Sequence, residues 1–197
     1  EERAWLNRSA DVSRVVYLRS MARAVDGGKR SLVEMKMVDN VYPLYGALET
    51  TPPTSTSDLF ARRGDIWGAV TDTALLRRLG IDIGGRVKIG EATFEIRATI
   101  DREPDRVSGA RALQLGPRFM ASAAAVADSA LVQPGSQVWY FYRLRLDDRT
   151  GLDAWKTDLD QTFPDAQWLV RDRSNASPVI KRFIDRTTLF MTLVGLT

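Results

Sequence analysis

The sequence predicts an α+β fold, and composition, strand-like alternation and helical repeats together support this prediction. The 197 residues are 44% hydrophobic and 27% charged, close to average soluble usage and enough to bury a core. Several segments alternate apolar and polar residues with the period of a strand, and others repeat apolar residues at helical spacing. This composition excludes a disordered chain, a collagen-like repeat and a protein made wholly of membrane spans.

The first 57 residues are predicted to form a helix and two strands. Residues 1–8 have a helical pattern, and residues 12–21 are rich in β-branched and aromatic side chains. Adjacent glycines in residues 26–29 supply the positive φ of a hairpin turn. Residues 33–37 alternate apolar and charged side chains, which predicts a strand with one wet face. A connector of Pro, Thr and Ser at residues 50–57 is predicted to end this segment.

Residues 58–146 are predicted to form a mostly β insertion within the chain. One short helix interrupts it, because Asp72 can N-cap a helix whose leucines share one face and which Gly80 ends. Residues 122–131 form a second, Ala-rich candidate helix. The predicted strands are 67–70, 86–89, 94–100, 118–121 and 137–146.

The chain returns to an α/β pattern over residues 147–186, with a helix at 152–163 and a strand at 166–170. A terminal helix is predicted from Ser177, and its apolar residues recur at helical spacing. Residues 187–197 are uncharged and mostly apolar, so they are either a short buried helix or the first half of a membrane span. The apolar residues of the terminal helix are Val179, Ile180, Phe183 and Ile184.

Residue types exclude several kinds of catalysis. The chain has no cysteine and no histidine, which removes disulfides, thiolate nucleophiles and the commonest general base and metal ligand. No Ser-centred elbow sequence is present either. We therefore predict that the chain is not an enzyme and that it uses no cofactor or metal.

Charge argues against nucleic acid as a partner. The formal net charge is only +3, from 28 basic and 25 acidic residues, and the basic residues are interleaved with acids. A nucleic-acid footprint is a stripe of one sign, so we predict no nucleic-acid binding.

Two local motifs are predicted to be structural. The glycines of residues 84–90 flank a short strand and lack the Gly-Lys-Ser/Thr of a phosphate loop. Asp101, Glu103 and Asp105 alternate with arginines and lack the Gly and Glu of a calcium loop. They are predicted to lie in a solvated loop of mixed charge that covers residues 101–109.

The densest aromatic run is the candidate functional surface. Residues on a strand alternate sides, so Trp139 and Phe141 are expected on one face, and Tyr140 and Tyr142 on the other. One pair is expected in the core, and the other is a candidate to line an apolar cleft or a partner interface.

Several sequence blocks resemble a known family, the YbbP-type ABC transporter permeases of the MacB/LolE/FtsX superfamily. Residues 33–38 with 42–46 resemble the "VEVKAV…YPLRG" segment of those proteins. Residues 74–81 with 85–90 resemble their "LL-x-x-LG" block and the glycine-bounded strand that follows it. Further similar blocks occur at 116–118, 131–136, 175–178 and 184–188. Arg86 departs from the pattern, which usually has an acidic residue there.

The resemblance implies a MacB-like periplasmic core in a protein of the bacterial inner membrane. It implies a split α/β subdomain of βαβ type, formed by residues 1–57 and 147–186, around an inserted β-rich subdomain, residues 58–146. Residues 187–197 would start a transmembrane helix, and the chain, which begins at Glu1, would be part of a longer permease.

The resemblance also implies a function and partners. The domain would be a noncatalytic extracytoplasmic part of the permease that passes ATP-driven motion to export or release of a lipophilic or peptide-like cargo. Its partners would be a cytoplasmic ATPase subunit, through the full-length permease, a periplasmic protein, and lipid or lipophilic cargo. Val179, Ile180, Phe183 and Ile184 would belong to the coupling helix. The alternative is an FtsX-like regulatory scaffold that controls a periplasmic hydrolase.

Overall fold

The computed structural model describes residues 1–105, 116–147, 151–166 and 168–172. The chain divides into two compact units, Glu1–Thr150 and Gly151–Thr197. Strands dominate the first unit and a helix forms most of the described part of the second, which confirms the predicted α+β class.

The helices are α1 (Glu2–Ser9), α2 (Thr56–Phe60), α3 (Thr73–Leu79), α4 (Ala125–Asp128) and α5 (Leu152–Thr162). The strands are β1 (Asp11–Ala24), β2 (Arg30–Val38), β3 (Glu49–Thr51), β4 (Arg62–Arg63), β5 (Ile66–Thr71), β6 (Arg86–Ile89), β7 (Ala92–Arg102), β8 (Arg118–Ser122) and β9 (Trp139–Arg145).

Six strands of the first unit pair in a closed ring, in the order β7-β6-β1-β2-β8-β5 and back to β7. The β2–β8 and β5–β7 pairs are parallel, and the other ring pairs are antiparallel. The remaining strands each pair with one strand of the ring: β3 pairs with β7, β4 with β5, and β9 with β1. Closure leaves few open edges, which is how β-rich domains limit unwanted pairing.

The inner face of the ring holds the larger core cluster, to which all six ring strands contribute. Phe94 of β7 and Phe119 of β8 meet across it edge to face, with ring centroids 5.1 Å apart. Leu75 and Leu79 of α3 extend this cluster. Alternation along each strand sends every second side chain inward, so these strands form a dry interior.

The outer face is covered only in part. A second core cluster forms there around Val15 and Val38, where α2 and the segment after β2 pack on the ring. Tyr42 and Leu48 belong to that segment, and both are buried. Further along β1 the outer face is open, and Met21 is 49% exposed.

Turn chemistry explains two of the correctly predicted boundaries. Gly27 and Gly28 have positive φ in the β1–β2 hairpin, as the paired glycines predicted. Gly80 ends α3 in the left-handed conformation with φ 69°. Asp72 occupies the N-cap position of α3, and its carboxylate also accepts a hydrogen bond from the Arg118 backbone N–H.

Three sequence predictions are corrected by local geometry. The connector at 50–57 is not irregular throughout, because it contributes to β3 and because Ser55 caps α2 by accepting a hydrogen bond from the Asp58 N–H at 3.2 Å. The Ala-rich helix at 122–131 is shorter than predicted, since α4 covers four residues. The strand predicted at 166–170 is absent from the described residues 168–170, which have no regular structure.

The predicted subdomain boundaries stay a prediction. Strands from residues 1–57 and from residues 58–146 are hydrogen-bonded into the same sheet. Residues 173–197 lie outside the described part of the chain, and with them the predicted coupling-helix residues and the apolar segment 187–197.

The second unit contains α5, whose Trp155 and Leu159 are buried. Phe163 and Trp168 pack with ring centroids 5.4 Å apart, and Lys156 forms an ion pair with Asp172. The chain after α5 therefore returns along the helix.

Candidate functional site

Strand β9 places the aromatic run on the outside of the first unit. Seven residues of β9 pair antiparallel with the N-terminal half of β1, from Trp139 opposite Tyr17 to Arg145 opposite Asp11. The C-terminal end of β1 pairs on the same edge with β6, which continues the ring. Strand β9 therefore leaves the ring, and among the described residues no strand pairs with its other edge.

The position of β9 corrects the expectation that one aromatic pair is buried. Trp139, Tyr140, Phe141 and Tyr142 are 43%, 51%, 41% and 38% exposed, so neither pair lies in the core. The pairs do lie on opposite faces, as alternation predicted. No residue of β9 belongs to either core cluster. Four adjacent, exposed aromatic side chains are uncommon on a surface without a partner.

On the outer face, cations alternate with the aromatic rings. Phe141 packs edge to face on Tyr17 with centroids 5.3 Å apart. The guanidinium of Arg19 lies 5.8 Å from the Trp139 ring centroid, and that of Arg143 lies 5.6 Å from the Phe141 centroid. These contacts fix the two rings with their outward surfaces available to a ligand or partner.

A cavity of about 230 Å³ opens beside Trp139, where β9 and β6 leave a gap along the edge of β1. Its apolar lining comes from Leu18, Leu131, Val138 and Trp139. Arg19, Ser136 and Gln137 supply its polar groups. The cavity is smaller than the roughly 300–1,000 Å³ of pockets for drug-sized ligands. It therefore has room for one hydrocarbon chain of a ligand or for one amino-acid side chain.

The far end of β9 is held by Arg145. Its guanidinium donates to the Asp11 carboxylate at 2.8 and 3.1 Å and to the Leu44 carbonyl at 3.1 Å. The same group lies 5.9 Å from the Tyr45 ring centroid. These contacts tie β9 to the start of β1 and to the segment after β2.

A buried ionic network lies behind the aromatic surface. Lys36 on β2 is fully buried and donates to Glu103 at 2.7 Å, to Asp105 at 2.5 Å and to the Tyr42 hydroxyl at 3.0 Å. Tyr42 in turn donates to Asp105 at 2.8 Å. Arg118 donates to the second oxygen of Glu103 at 3.3 Å. Each buried charge therefore has an opposite charge within hydrogen-bonding distance.

This network corrects two sequence predictions. Lys36 was expected on the wet face of its strand, yet it has no exposed surface. Glu103 and Asp105 were expected in a solvated loop, yet Glu103 is only 6% exposed and both carboxylates bind Lys36. The reason is the cover provided by Tyr42 and by the chain beyond β7, which removes water from this part of the outer face. Asp101 is exposed, as predicted, but it lies in β7, which continues to Arg102, and not in a loop. Its carboxylate accepts a hydrogen bond from Thr51.

Burial and charge shift several pKa values in the network. Burial lowers the pKa of Lys36, although Glu103 and Asp105 oppose this effect. Burial alone would raise the pKa of Asp105, but the Lys36 ammonium and hydrogen bonds from Lys36 and Tyr42 lower it overall. Burial, reinforced by the Asp105 charge, raises the pKa of Tyr17 to about 12 and raises that of Tyr42 still further.

The network is joined directly to the aromatic surface. Arg143 on β9 lies 3.8 Å from the Asp105 carboxylate. Tyr17 has the Arg118 guanidinium 5.5 Å and the Lys36 ammonium 6.0 Å from its ring centroid, and it packs on Phe141 as well. Displacing β9 would therefore disturb buried charges.

Sequence reasoning found the aromatic run but missed the network. Lys36 lies between Met35 and Met37 in an alternating strand, so no local feature of the sequence distinguishes it from an exposed lysine. Its carboxylate partners lie 67 and 69 residues away in the sequence, which no local pattern reveals. Among the described residues, no three acidic side chains converge on a metal-binding position.

The chain was compared with known proteins. No protein-family model matches it. It is 30% identical over 199 residues to an uncharacterized ABC transporter permease of Escherichia coli K12, YbbP. This match covers 98% of the chain but only 23% of the length of that relative.

Two solved structures share the fold. One is a domain of a protein described as a permease, from Porphyromonas gingivalis, with a TM-score of 0.50 and 14% identity over 81% of this chain and 71% of that one. The other is the extracellular domain of the noncanonic ABC-type transporter YknZ from Gram-positive bacteria, with a TM-score of 0.51 and 10% identity over 81% and 79%. At these identities the likeness concerns the fold. None of the helices in the described part of the chain is long and apolar enough to cross a membrane.

Proposed function

We propose that this chain forms one domain of a YbbP-type ABC transporter permease and that it has a role in transport. The domain lies on the extracytoplasmic side of the bacterial inner membrane. It transmits ATP-driven motion of the membrane helices to the export or release of a lipophilic or peptide-like cargo. It performs no catalysis, and ATP hydrolysis belongs to a cytoplasmic subunit that binds the full-length permease. The observation that carries this proposal is the match over nearly the whole chain to a permease.

Strand β1 is suited to transmit motion. Its 14 residues span about 45 Å at about 3.3 Å per residue, and it pairs with β2, β6 and β9. A displacement at the N-terminal end of β1 therefore reaches β9, which is paired with that end. We propose that residues 178–188 couple the domain to the membrane helices, as the family resemblance implies.

The aromatic residues of β9 are the proposed contact for cargo or partner. Their rings combine a large apolar surface with polar edges, which suits lipophilic and peptide-like ligands alike. The adjoining cavity is lined by four apolar side chains and has Arg19 among its polar groups. An amphiphilic ligand would place its apolar part there and an anionic group against Arg19.

Binding of the apolar fluorophore N-phenyl-1-naphthylamine to the 197-residue chain tests the cargo contact. We expect saturable binding that Trp139→Ala and Phe141→Ala each weaken by about thirtyfold or more, since hot-spot truncations cost about 2 kcal/mol or more. Ile83→Ala is the control, because Ile83 is 44% exposed and belongs neither to β9 nor to the lining of the cavity. Equal affinities for all variants would contradict the assignment of cargo to this surface.

Transmission of motion needs the full-length permease with its ATPase subunit. Because the chain has no cysteine, Gln137→Cys provides one site in this domain for an environment-sensitive dye beside the cavity. ATP should change the emission of that dye, whereas a nonhydrolysable analogue should hold it at one value. Emission that is indifferent to nucleotide would rule out mechanotransmission to this surface.

A regulatory scaffold that controls a periplasmic hydrolase is the second candidate function. Two observations favour it, the small volume of the cavity and the edge of β9 that is unpaired among the described residues. An open edge can accept an extended segment of another protein. A scaffold should bind a hydrolase through β9 and should show no saturable binding of the fluorophore.

A further inference from the structure

Three cationic side chains lie side by side on the outer face of the ring. Arg23 of β1 is directly opposite Arg30 of β2 on one edge and directly opposite Lys88 of β6 on the other. Directly paired residues of adjacent strands share a face, and adjacent strands are about 4.8 Å apart. We call Arg30, Arg23 and Lys88 the cation row. It lies six residues along β1 from Tyr17, where the pairing with β9 ends, and is therefore separate from the aromatic surface.

The cation row carries little compensation within the described part of the chain. Arg23 and Arg30 are exposed and form no ion pair there, and Lys88 has an exposed pair with Glu91 at 3.0 Å. Like charges directly opposite each other destabilise a sheet. Arg86 is a fourth exposed cation two residues before Lys88 on the same face, and it lies directly opposite Glu95 of β7. The sheet therefore carries electrostatic repulsion within the cation row, and the described residues show no contribution of the row to folding stability.

The surroundings of the row resemble an interface rather than a simple charged surface. Met21 of β1 and Val25, the residue that follows β1, flank Arg23 on the same face, and each is 49% exposed. Ala22 and Ala24, which alternate with them, are fully buried in the inner core. The backbone that presents the row is thus held by strands on both sides and by the core beneath. Arg and Met are enriched at protein interfaces, where a rigid support lowers the entropy cost of binding.

We propose that the cation row is a docking surface for an acidic segment of a partner protein. Carboxylates would bind the forked guanidinium groups of Arg23 and Arg30 and the ammonium of Lys88. Apolar residues between the acids would contact Met21 and Val25. Charge complementarity selects this occupant, and bound carboxylates would replace repulsion within the row by attraction.

The first test measures stability without any partner. Arg23→Gln removes the central charge, so we expect it to raise the Tm by about 1–3 °C at low salt, and by less at high salt. Arg63→Gln is the matched control, since Arg63 is exposed and lies outside the row. A lower Tm for Arg23→Gln would show that the row serves the fold, and would overturn the proposal.

The second test measures binding to the 197-residue chain with a six-residue peptide that alternates glutamate and leucine. We expect Arg23→Gln and Arg30→Gln each to weaken binding about tenfold, with Arg63→Gln close to the unchanged chain. A peptide with glutamine in place of glutamate should not bind. Equal losses in all three variants would indicate attraction by net charge alone and would contradict a specific site.

A third measurement distinguishes a protein partner from a membrane surface. Phosphatidylglycerol vesicles should bind no better to the unchanged chain than to Arg23→Gln. Vesicle binding that depends on Arg23 would replace the protein partner by a membrane surface and overturn the proposal. Absence of peptide binding at low salt would overturn it as well.

Discussion

Lys36 shows how a single residue can be placed wrongly by a correct local pattern. Its strand does alternate, and β2 forms where the alternation predicted it. Lys36 nevertheless lies beneath Tyr42 and against Glu103, because the outer face is covered just there. Alternation predicts which residues share a face, whereas tertiary packing decides whether that face is wet. The sequence predicts the first and carries no local signal for the second.

The buried charges of the network depend on one another, which gives a prediction for Glu103. Glu103→Gln would leave Lys36 and Arg118 each with one fewer carboxylate contact, so we expect the free energy of unfolding to fall by about 3 kcal/mol. Urea unfolding followed by tryptophan fluorescence measures this change. The matched control is Glu49→Gln, because Glu49 pairs with Arg102 at 3.3 Å while 55% exposed. The control should cost less than about 1 kcal/mol, and equal losses would contradict a special role for the network.

Tyr17 gives a prediction at alkaline pH. Burial first, and then the charge of Asp105, raises its pKa to about 12, against about 10 in an unfolded chain. A raised folded-state pKa contributes stability that is full below about pH 10 and is lost as pH rises through about 12. Absorbance of tyrosinate should therefore show a group that ionises near pH 12 and that Tyr17→Phe removes, whereas Tyr42 ionises later still. Loss of an early-ionising group instead would contradict the burial of Tyr17.

Asp105 gives a prediction at acid pH, where its contribution to stability is lost as the pH falls. Its pKa is lowered overall, so its contribution is present above the unfolded value of about 3.9 and is lost as pH falls below it. The free energy of unfolding of the unchanged chain should thus decline between about pH 5 and pH 2 more steeply than that of Asp105→Asn. Parallel declines, measured by urea unfolding across this range, would exclude Asp105 as a contributor.

At the scale of elements, β9 combines a pattern that the sequence predicts with a position that it does not. Four consecutive aromatic residues predict a strand with two unlike faces, and the strand exists. The prediction that one face of β9 is buried was wrong, because β6 and not β9 continues the ring beside β1. The order of strands depends on long-range pairing between segments more than 100 residues apart, such as β1 and β9. Local periodicity carries no information on it.

The open edge of β9 gives a prediction for hydrogen exchange. Alternate backbone amides of an antiparallel strand point toward each neighbour, and only β1 pairs with β9 among the described residues. Alternate amides of residues 139–145 should therefore exchange fast, and β2, flanked by both β1 and β8, should exchange slowly. Slow exchange of all β9 amides in the isolated chain would show that another segment covers this edge. Binding of a protein partner through β9 should slow the fast set.

Turns and caps were the elements most accurately predicted from sequence. Gly80 and the Gly27–Gly28 pair have the positive φ that their positions indicated. Such signals are local, since only glycine adopts that backbone conformation at little cost. The strand predicted at 166–170 lacked a comparable local signal, and the described part of it, which begins at Trp168, is irregular.

At the scale of the whole molecule, the chain is similar to a permease in sequence and to two solved domains in fold. The resemblance in short sequence blocks is confirmed by 30% identity to YbbP over nearly the whole chain. The predicted α+β class is confirmed, and two domains from transporter proteins share the fold. The predicted division at residues 57, 146 and 186 stays a prediction. So do the cargo and the coupling helix formed by Val179, Ile180, Phe183 and Ile184.

The central claim is that this domain faces the extracytoplasmic side of the membrane in a full-length permease. Asp26→Cys provides a single exposed thiol at the β1–β2 hairpin, because the chain itself has no cysteine. A membrane-impermeant maleimide, applied to cells with a permeabilised outer membrane and no other cysteine in the permease, reports on which side that thiol lies. We predict that labelling of these cells before lysis equals labelling after lysis. Labelling only after lysis would place the domain in the cytoplasm and contradict the proposed function.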